Sequence, residues 1–303
     1  MKKINYFHNH QIDKKKWDYC IHNSINRKVY AFSWYLDIVS DKWGALIYGN
    51  YELVFPIVFK KIFFFKKIYH PLFCQQLGPF SIDKNLLYDE SVSYELLKFL
   101  DKQYKKFDFS INYNCAEVFK QNIIKNKFSI NCLNRVNLEL DLKVKYDILF
   151  SGYDNNTKRN LRMSENYKFY IGPLEDIDVF VSLYKQHVGY KANLKSSDFV
   201  AIKSIIKTAF LKKIGSLLAL YDTSHNILAS AFFILDLNRD ILLFNFSNRM
   251  LKINTMTILI DEYIRLNASQ NKLLDFEGSS IASIKRFYKG FGAIEKNYIH
   301  IAK

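Results

Sequence analysis

Two segments of this chain repeat one pattern of residues, and the repeat limits the folds that the chain can adopt. Phe107-Asp108-Phe109 precedes Cys115-Ala116-Glu117-Val118-Phe119-Lys120, and Leu274-Asp275-Phe276 precedes Ala282-Ser283-Ile284-Lys285-Arg286-Phe287. Asp275 stands 167 residues after Asp108, and Phe287 stands 168 residues after Phe119. An apolar, strand-like stretch follows both copies. A period of this length indicates a duplicated domain and not a solenoid.

Each half is predicted to contain two helices, an antiparallel meander, a helix, a strand, a helix and a last strand. The clearest helix follows Asn254, a plausible N-cap. Its apolar residues recur at helical spacing: Met256, Leu259, Ile260, Tyr263 and Ile264. Charged and Asn residues cluster at 143–156, which places the domains at 1–147 and 148–303. The predicted class is α/β (α+β), with a mixed, mostly antiparallel sheet flanked by helices in each domain.

Composition excludes several classes of protein. The longest apolar stretch, Ile227 to Leu235, is broken by Ser230 and is far shorter than the ~18 residues of a membrane span. The basic N-terminus has no apolar segment after it, which argues against a signal peptide. The four cysteines are scattered, with no CxxC pair, so neither a metal site nor a disulfide framework is expected. We therefore expect a cytoplasmic protein.

The net charge of +15 has two interpretations. It is typical of proteins that bind nucleic acid, a membrane surface or a phosphorylated substrate. However, only 8 of the 44 basic residues are Arg, and Lys, Asn, Ile, Phe and Tyr are all abundant. Codons rich in A and T encode those residues, so mutational bias explains the excess equally well.

The C-terminal segment resembles a known family. Asp275-Phe276-Glu277-Gly278-Ser279, followed by Phe287-Tyr288-Lys289-Gly290-Phe291-Gly292-Ala293, is similar to the second half of Fem-type proteins. Asn156-Thr157-Lys158-Arg159-Asn160-Leu161-Arg162 resembles the basic segment that opens their second domain. The resemblance implies two tandem GNAT-like domains. It also implies transfer of an aminoacyl group from aminoacyl-tRNA to an amine of a cell-wall precursor.

The donor is not decided by this resemblance. Simple GNAT enzymes bind the CoA pyrophosphate on a glycine-rich loop at a helix N-terminus, where backbone N–H groups approach the anion. The equivalent stretch here, Ser247 to Asn254, contains no glycine, although it contains Arg249. We therefore expect no tightly bound cofactor and weak CoA binding. The donor would be aminoacyl-tRNA or an acyl thioester that binds as a co-substrate.

Two residues are candidate catalytic groups. Glu277 follows a strand and could take a proton from an attacking amine; alternatively, it is an exposed acid near a helix N-terminus. Lys289 stands at a helix end and could stabilise an oxyanion. The alternative for Lys289 is a cation that complements the helix dipole.

Other residues are candidate substrate ligands. Arg159 and Arg162 share a helical face and could hold a phosphate, as could Arg249. In the first half, Trp34 and Tyr35 could line a groove, and the strand residues Gln75 and Gln76 could hydrogen-bond a peptide-like acceptor. The alternatives are a solvated charge run and core packing. His187, on a predicted helix over 176–190, is interpreted as an ordinary surface or capped histidine.

A short apolar block lies between lysine pairs in Lys60-Lys61-Ile62-Phe63-Phe64-Phe65-Lys66-Lys67. Such a segment could contact the anionic inner leaflet of a membrane. The alternative is a hairpin with biased composition.

These observations favour a cytoplasmic, Fem-like N-acyltransferase that contacts the membrane only at its periphery. It would bind an anionic cell-envelope precursor or an amino sugar between its two domains and work by direct attack. The first alternative is a GNAT enzyme that uses acyl-CoA or an acyl carrier. The second is a non-catalytic module that binds RNA or a lipid head group.

Overall fold

The chain divides into two compact units. The computed structural model describes residues 3–40, 42–62, 65–248, 251, 253–278 and 281–303. The N-terminal unit comprises Met1–Val136 together with Asn297–Lys303, and the C-terminal unit comprises Asn137–Lys296. The predicted boundary is 147/148, whereas these units divide at 136/137, and the last seven residues belong to the first unit.

The N-terminal unit contains most of the first twelve regular elements. In chain order these are β1 (Ile4–His8), α1 (Lys14–Asn23), α2 (Ser33–Val39), β2 (Trp43–Tyr48), β3 (Leu53–Ile62), β4 (Phe65–Tyr69), β5 (Phe80–Ser81), α3 (Lys84–Tyr88), α4 (Glu90–Gln103), β6 (Lys106–Ile111), α5 (Tyr113–Lys125) and β7 (Asn131–Asp141). Aspartates cap three of these helices: the side chains of Asp13, Asp83 and Asp89 accept hydrogen bonds from backbone N–H groups at the starts of α1, α3 and α4.

The C-terminal unit begins inside β7 and contains most of the remaining elements. These are α6 (Tyr146–Ser151), α7 (Asn155–Ser164), β8 (Tyr170–Pro173), α8 (Ile177–Tyr184), α9 (Ser196–Leu211), β9 (Gly215–Tyr221), β10 (Ile227–Asp236), β11 (Arg239–Ser247), α10 (Thr255–Asn267), β12 (Leu273–Asp275), α11 (Ala282–Lys289) and β13 (Ile294–Ala302). Asn254 caps α10 as predicted, by accepting a hydrogen bond from the N–H of Met256.

The sheets of the two units have the same strand pattern. In the N-terminal unit the strand order is β1-β2-β3-β4-β6-β13, and in the C-terminal unit it is β8-β9-β10-β11-β12-β7. Neighbours are antiparallel except for one parallel pair in each unit, β4 with β6 and β11 with β12. The two segments of the sequence repeat supply β6 and β12, so the predicted duplication corresponds to a structural repeat.

Each sheet buries an apolar face against helices. In the N-terminal unit, Phe107, Phe109 and Ile111 of β6 belong to a core cluster with Leu96 of α4 and Phe119 of α5. In the C-terminal unit, the predicted apolar face of α10 is buried. The Tyr263 ring on that face stacks on Phe233 of β10, with 3.7 Å between ring centroids.

The final strand of each sheet comes from a distant part of the chain. Residues Ile299–Ala302 of β13 pair with Asp108–Ile111 of β6 in the N-terminal unit. Residues Glu139–Asp141 of β7 pair with Leu273–Asp275 of β12 in the C-terminal unit. The chain therefore passes from one unit to the other inside two strands and not in a linker.

Two strands were not expected from the sequence. β1 and β8 stand at the outer edge of their sheets; β1 precedes α1, and β8 lies between α7 and α8. Among the helices in the described ranges, none is both long and apolar enough to cross a bilayer.

Candidate functional site

The parallel strands β11 and β12 separate at their carboxyl ends. They are paired over Arg239–Ile241 and Leu273–Asp275. Beyond this point β11 continues to Ser247, whereas the segment after β12 leaves the sheet through Glu277, whose φ is 54°. Few residues other than glycine adopt this left-handed conformation, and it is enriched at functional sites. Ligands of open sheets bind outside the carboxyl ends of parallel strands, so we take this gap as the candidate site.

Two tyrosines lie close to the Glu277 carboxylate. Burial, together with the negative charge of Glu277, raises the pKa of Tyr288 to about 12. Burial is also the main cause that raises the pKa of Tyr184, and Tyr288 and Glu277 contribute to it. The Asn245 side chain of β11 donates a hydrogen bond to the Tyr288 hydroxyl oxygen (3.2 Å). Both phenols therefore keep their protons at neutral pH, and the proton of Tyr288 stays available for donation.

A buried charged network holds the backbone at Glu277. The N–H of Glu277 donates to Asp275 Oδ1 (2.8 Å). Arg239 Nη1 donates to Asp275 Oδ2 (2.5 Å) and to Glu139 Oε1 (2.8 Å). The exposed side-chain fractions are 11% for Arg239, 3% for Glu139 and 1% for Asp275. Charge-assisted hydrogen bonds that are shielded from water fix geometry strongly, so the position of Glu277 is set by the sheet beneath it.

His187 lies on the same unit, within the helix predicted over 176–190, in a turn whose hydrogen bonding was not expected. The turn Lys185–Gly189 continues α8 with π-helical hydrogen bonding, which recurs at functional sites. The imidazole stacks on Phe246 of β11, with ring centroids 5.4 Å apart. Burial, with a smaller contribution from Lys191, lowers its pKa. His187 is therefore neutral at physiological pH.

Lys289 has a surface partner. Its Nζ lies 2.9 Å from Glu295 Oε1, and Lys285 Nζ lies 2.9 Å from the other oxygen of the same carboxylate. Half of the Lys289 side chain is exposed. Among the contacts of the described residues, none joins Lys289 to Glu277. The catalytic role of Lys289 stays a prediction.

The basic helix α7 lies beside the N-terminus of α10. Arg159 and Arg162 are both exposed on α7, and Arg159 donates to the Asn156 side chain (2.8 Å). Asn160, between them, accepts a hydrogen bond from the N–H of Asn254 (3.3 Å). The helix therefore adds positive charge near a helix N-terminus that also favours anions. Arg249 lies outside the described residues.

The corresponding gap of the N-terminal unit is filled by its own chain. The segment after β4 lies against β6, where Leu77 forms a parallel bridge with Ile111. The Tyr35 hydroxyl donates to the carbonyl oxygen of Phe73 (2.5 Å) in this segment. Gln76 is fully buried, and its side-chain oxygen accepts from the first N–H of α5, at Tyr113 (3.0 Å).

These contacts change the interpretation of three residues of the first half. Tyr35 and Gln76 hold the segment in place and are not open to an acceptor. The Gln75 side-chain oxygen accepts a hydrogen bond from Gln76 Nε2 (2.6 Å). Both glutamines lie in a loop and not on the predicted strand. Trp34 is partly exposed and packs edge-on against Tyr35, with 5.2 Å between ring centroids.

His70 connects the segment after β4 to β6 by hydrogen bonds. Its Nδ1 accepts from the N–H of Ser110 (3.2 Å), so Nε2 carries the proton and donates to the carbonyl oxygen of Cys74 (2.7 Å). Burial lowers the pKa of His70 to about 4. Between about pH 6.5 and 4 the unfolded chain binds this proton and the folded protein does not, so stability falls as the pH falls.

We therefore expect acidification from about pH 6.5 to 5 to cost about 2 kcal/mol of unfolding free energy through His70, at about 1.4 kcal/mol per pH unit. Urea unfolding of the wild type and of His70→Gln across this range measures the effect. The variant is less stable at neutral pH, because it loses the Ser110 contact, but its stability falls less on acidification. Equal pH dependence in both proteins would contradict the assignment.

Comparisons with known proteins support the fold. No protein-family model and no curated protein matches the chain. FemX superimposes with a TM-score of 0.68 at 12% identity, over 97% of this chain and 96% of FemX. L-PGS from Bacillus licheniformis gives a TM-score of 0.56 at 9% identity, over 96% and 91% of the two chains. A tandem GNAT protein from the clavulanic acid biosynthesis pathway gives 0.56 at 7% identity, over 99% and 98%. The predicted Fem-like, tandem GNAT fold is confirmed.

Proposed function

We propose that this chain is an N-acyltransferase that joins an acyl or aminoacyl group to an amine of a cell-envelope precursor or amino sugar. One observation carries the proposal: Glu277 follows the carboxyl end of β12, and its backbone N–H is held by Asp275, which Arg239 holds in turn. Beside it are two tyrosines that keep their protons. A fixed base next to neutral hydrogen-bond donors fits a reaction that removes a proton and develops an oxyanion.

The proposed step is direct attack. The amine nitrogen forms a bond to the acyl carbonyl carbon, and Glu277 accepts the proton that the nitrogen loses. The Tyr288 hydroxyl, which accepts from Asn245, has its proton free to stabilise the oxygen on which negative charge develops. The bond to the donor oxygen or sulfur then breaks, and the leaving group takes up a proton. No covalent enzyme intermediate is needed.

The donor is proposed to carry phosphate and to bind as a co-substrate. Arg159 and Arg162 beside the N-terminus of α10 favour an anion there. Aminoacyl-tRNA is the first choice, since the Fem-type resemblance of the sequence implies this donor and the Ser247 to Asn254 stretch lacks glycine. An acyl thioester is the alternative, because AcCoA is named together with the tandem GNAT protein from the clavulanic acid biosynthesis pathway. The acceptor would be an anionic precursor such as a UDP-sugar peptide.

The test compares Glu277→Gln with the wild type in transfer of labelled acyl groups. Charged tRNA and acetyl-CoA are the donors, and a UDP-sugar peptide and glucosamine are the acceptors. We expect about a hundredfold loss of kcat with little change in KM, because the base acts only in the transition state. Glu295→Gln is the matched control, since Glu295 is a glutamate of the same unit paired to surface lysines.

A double variant, Arg159→Gln with Arg162→Gln, separates binding from chemistry. It should raise KM for the phosphate-bearing substrate and leave kcat nearly unchanged, with a larger effect at low salt. If wild type transfers no group in any combination but binds RNA, the chain is a binding module and the proposal is wrong. Equal activity of Glu277→Gln and Glu295→Gln would remove Glu277 as the base.

A further inference from the structure

Five lysines gather on three neighbouring strands of the N-terminal unit. Register places Lys60 opposite Lys67 and Lys61 opposite Lys66 in the β3–β4 hairpin. Lys67 is also directly beside Lys106 of β6. We call Lys60, Lys61, Lys66, Lys67 and Lys106 the lysine cluster. Like charges directly opposite each other destabilise a sheet, so the fold gains nothing from this arrangement on its own.

The lysine cluster is not neutralised within the protein. Across the described part of the chain, no carboxylate forms an ion pair with any of its five members, whereas Lys98, Lys125 and Lys285 all have acidic partners elsewhere. Two members lie near aromatic rings: Lys60 Nζ is 5.3 Å from the Tyr69 centroid, and Lys66 Nζ is 4.8 Å from that of Phe59. An ammonium group over a ring face makes a weak cation–π contact, which leaves its positive charge in place.

The charges occupy both faces of the hairpin. Side chains alternate along a strand, so Lys60, Lys67 and Lys106 share one face, and Lys61 and Lys66 share the other. A single phosphate would need charges that converge on one point. Charges on both faces of the hairpin instead fit an extended anionic surface.

The residue types in and between the lysine pairs decide between a lipid surface and a nucleic acid. The cluster contains no arginine, the residue that matches phosphate geometry best. The sequence between the lysine pairs is wholly apolar, Ile62 to Phe65. Phe63 and Phe64, within it, lie outside the described residues. Lysines around an apolar segment are typical of proteins that rest on anionic bilayers.

We propose that the β3–β4 hairpin binds an anionic lipid bilayer through the lysine cluster. The binding does not depend on transferase activity, and it would hold the chain at a surface where lipid-linked or envelope-bound substrates collect. Each lysine near such a surface adds to affinity, and salt weakens the attraction.

The experiment is co-sedimentation with vesicles of phosphatidylcholine alone or of equal parts phosphatidylcholine and phosphatidylglycerol. The test variant changes Lys60, Lys61, Lys66 and Lys67 to Gln. The control variant changes Lys15, Lys168, Lys213 and Lys296 to Gln; these are exposed lysines that make no ion pair with a described residue. Both variants lose the same charge. The test variant should fold at least as well as the wild type, because it removes opposed charges, and thermal unfolding checks this.

We expect wild type to bind the phosphatidylglycerol vesicles and not phosphatidylcholine alone. The test variant should lose at least about tenfold in partition coefficient, and the control variant less than about threefold. Equal losses in both variants would overturn the proposal, because net charge and not the hairpin would then be responsible. Equal binding to both vesicle types, or binding to polyuridylate without vesicle binding, would also overturn it.

Discussion

A chain that ends at Lys296 should fail to form a folded N-terminal unit. The residues it lacks pair with Asp108–Ile111 and bury Ile299 and Ile301, which are 3% and 0% exposed. Two buried isoleucines and the strand hydrogen bonds together contribute more than about 5 kcal/mol, which is comparable to the whole stability of a typical domain. Circular dichroism during urea unfolding and amide hydrogen exchange on β6 measure the loss.

Single substitutions in β13 should lower the free energy of unfolding by amounts that depend on how deeply each side chain is buried. Ile301→Ala should cost about 2–5 kcal/mol, since it opens a cavity in the core. Ile294→Ala is the matched control: Ile294 is 56% exposed in β13 and should cost less than about 0.5 kcal/mol. A stable, cooperatively unfolding protein without residues 297–303 would show that the N-terminal unit does not need this strand.

Arg239→Ala should destabilise the protein by about 3–5 kcal/mol. The substitution leaves the Glu139 and Asp275 carboxylates buried and close together, without the cation that now lies 2.8 and 2.5 Å away. Because Asp275 also accepts from the N–H of Glu277, transfer activity should fall as well. Urea unfolding measures the first effect and the transfer assay the second.

A second arginine provides the control for this experiment. Arg265 pairs with Glu262 on the exposed surface of α10 (2.6 Å), with 52% of its side chain exposed. Arg265→Ala should therefore cost less than about 1 kcal/mol. A triple variant, Glu139→Gln with Arg239→Met and Asp275→Asn, should recover part of the stability that Arg239→Ala loses, because no unpaired buried charge remains. Similar losses for both arginine variants would contradict the role of the network.

The sequence was sufficient for the parts of the fold that depend on local pattern. The repeat located β6 and β12, and the 3.6-residue period with its Asn254 cap located α10. β1 and β8 were missed because they are short, and β8 ends Gly172-Pro173, residues that usually interrupt strands. The exchange of the last strands depends on pairing over more than a hundred residues, for which a single sequence carries no signal.

The candidate site was predictable only in part. Glu277 was identified because it follows a strand within the repeated motif. Its surroundings were not, since Tyr184, Asn245 and Tyr288 come from three separate elements. The helix over His187 was predicted, but its π-helical turn was not, because such a turn has no residue signature that distinguishes it from the helix it extends. Gln76 looked like a ligand because burial cannot be inferred from an isolated polar pair.

The exchange of final strands also sets the order in which the protein can be completed during synthesis. The C-terminal unit has all its strands once Lys296 has been made, because its last strand, β7, was translated long before. The N-terminal unit lacks Asn297–Lys303 until those residues have also been made. The half that is made first is thus finished last. Until then the edge of β6 is uncovered, which is the kind of strand edge on which aggregation starts. We therefore expect a nascent chain of this protein to depend on chaperones more than its two-unit architecture implies.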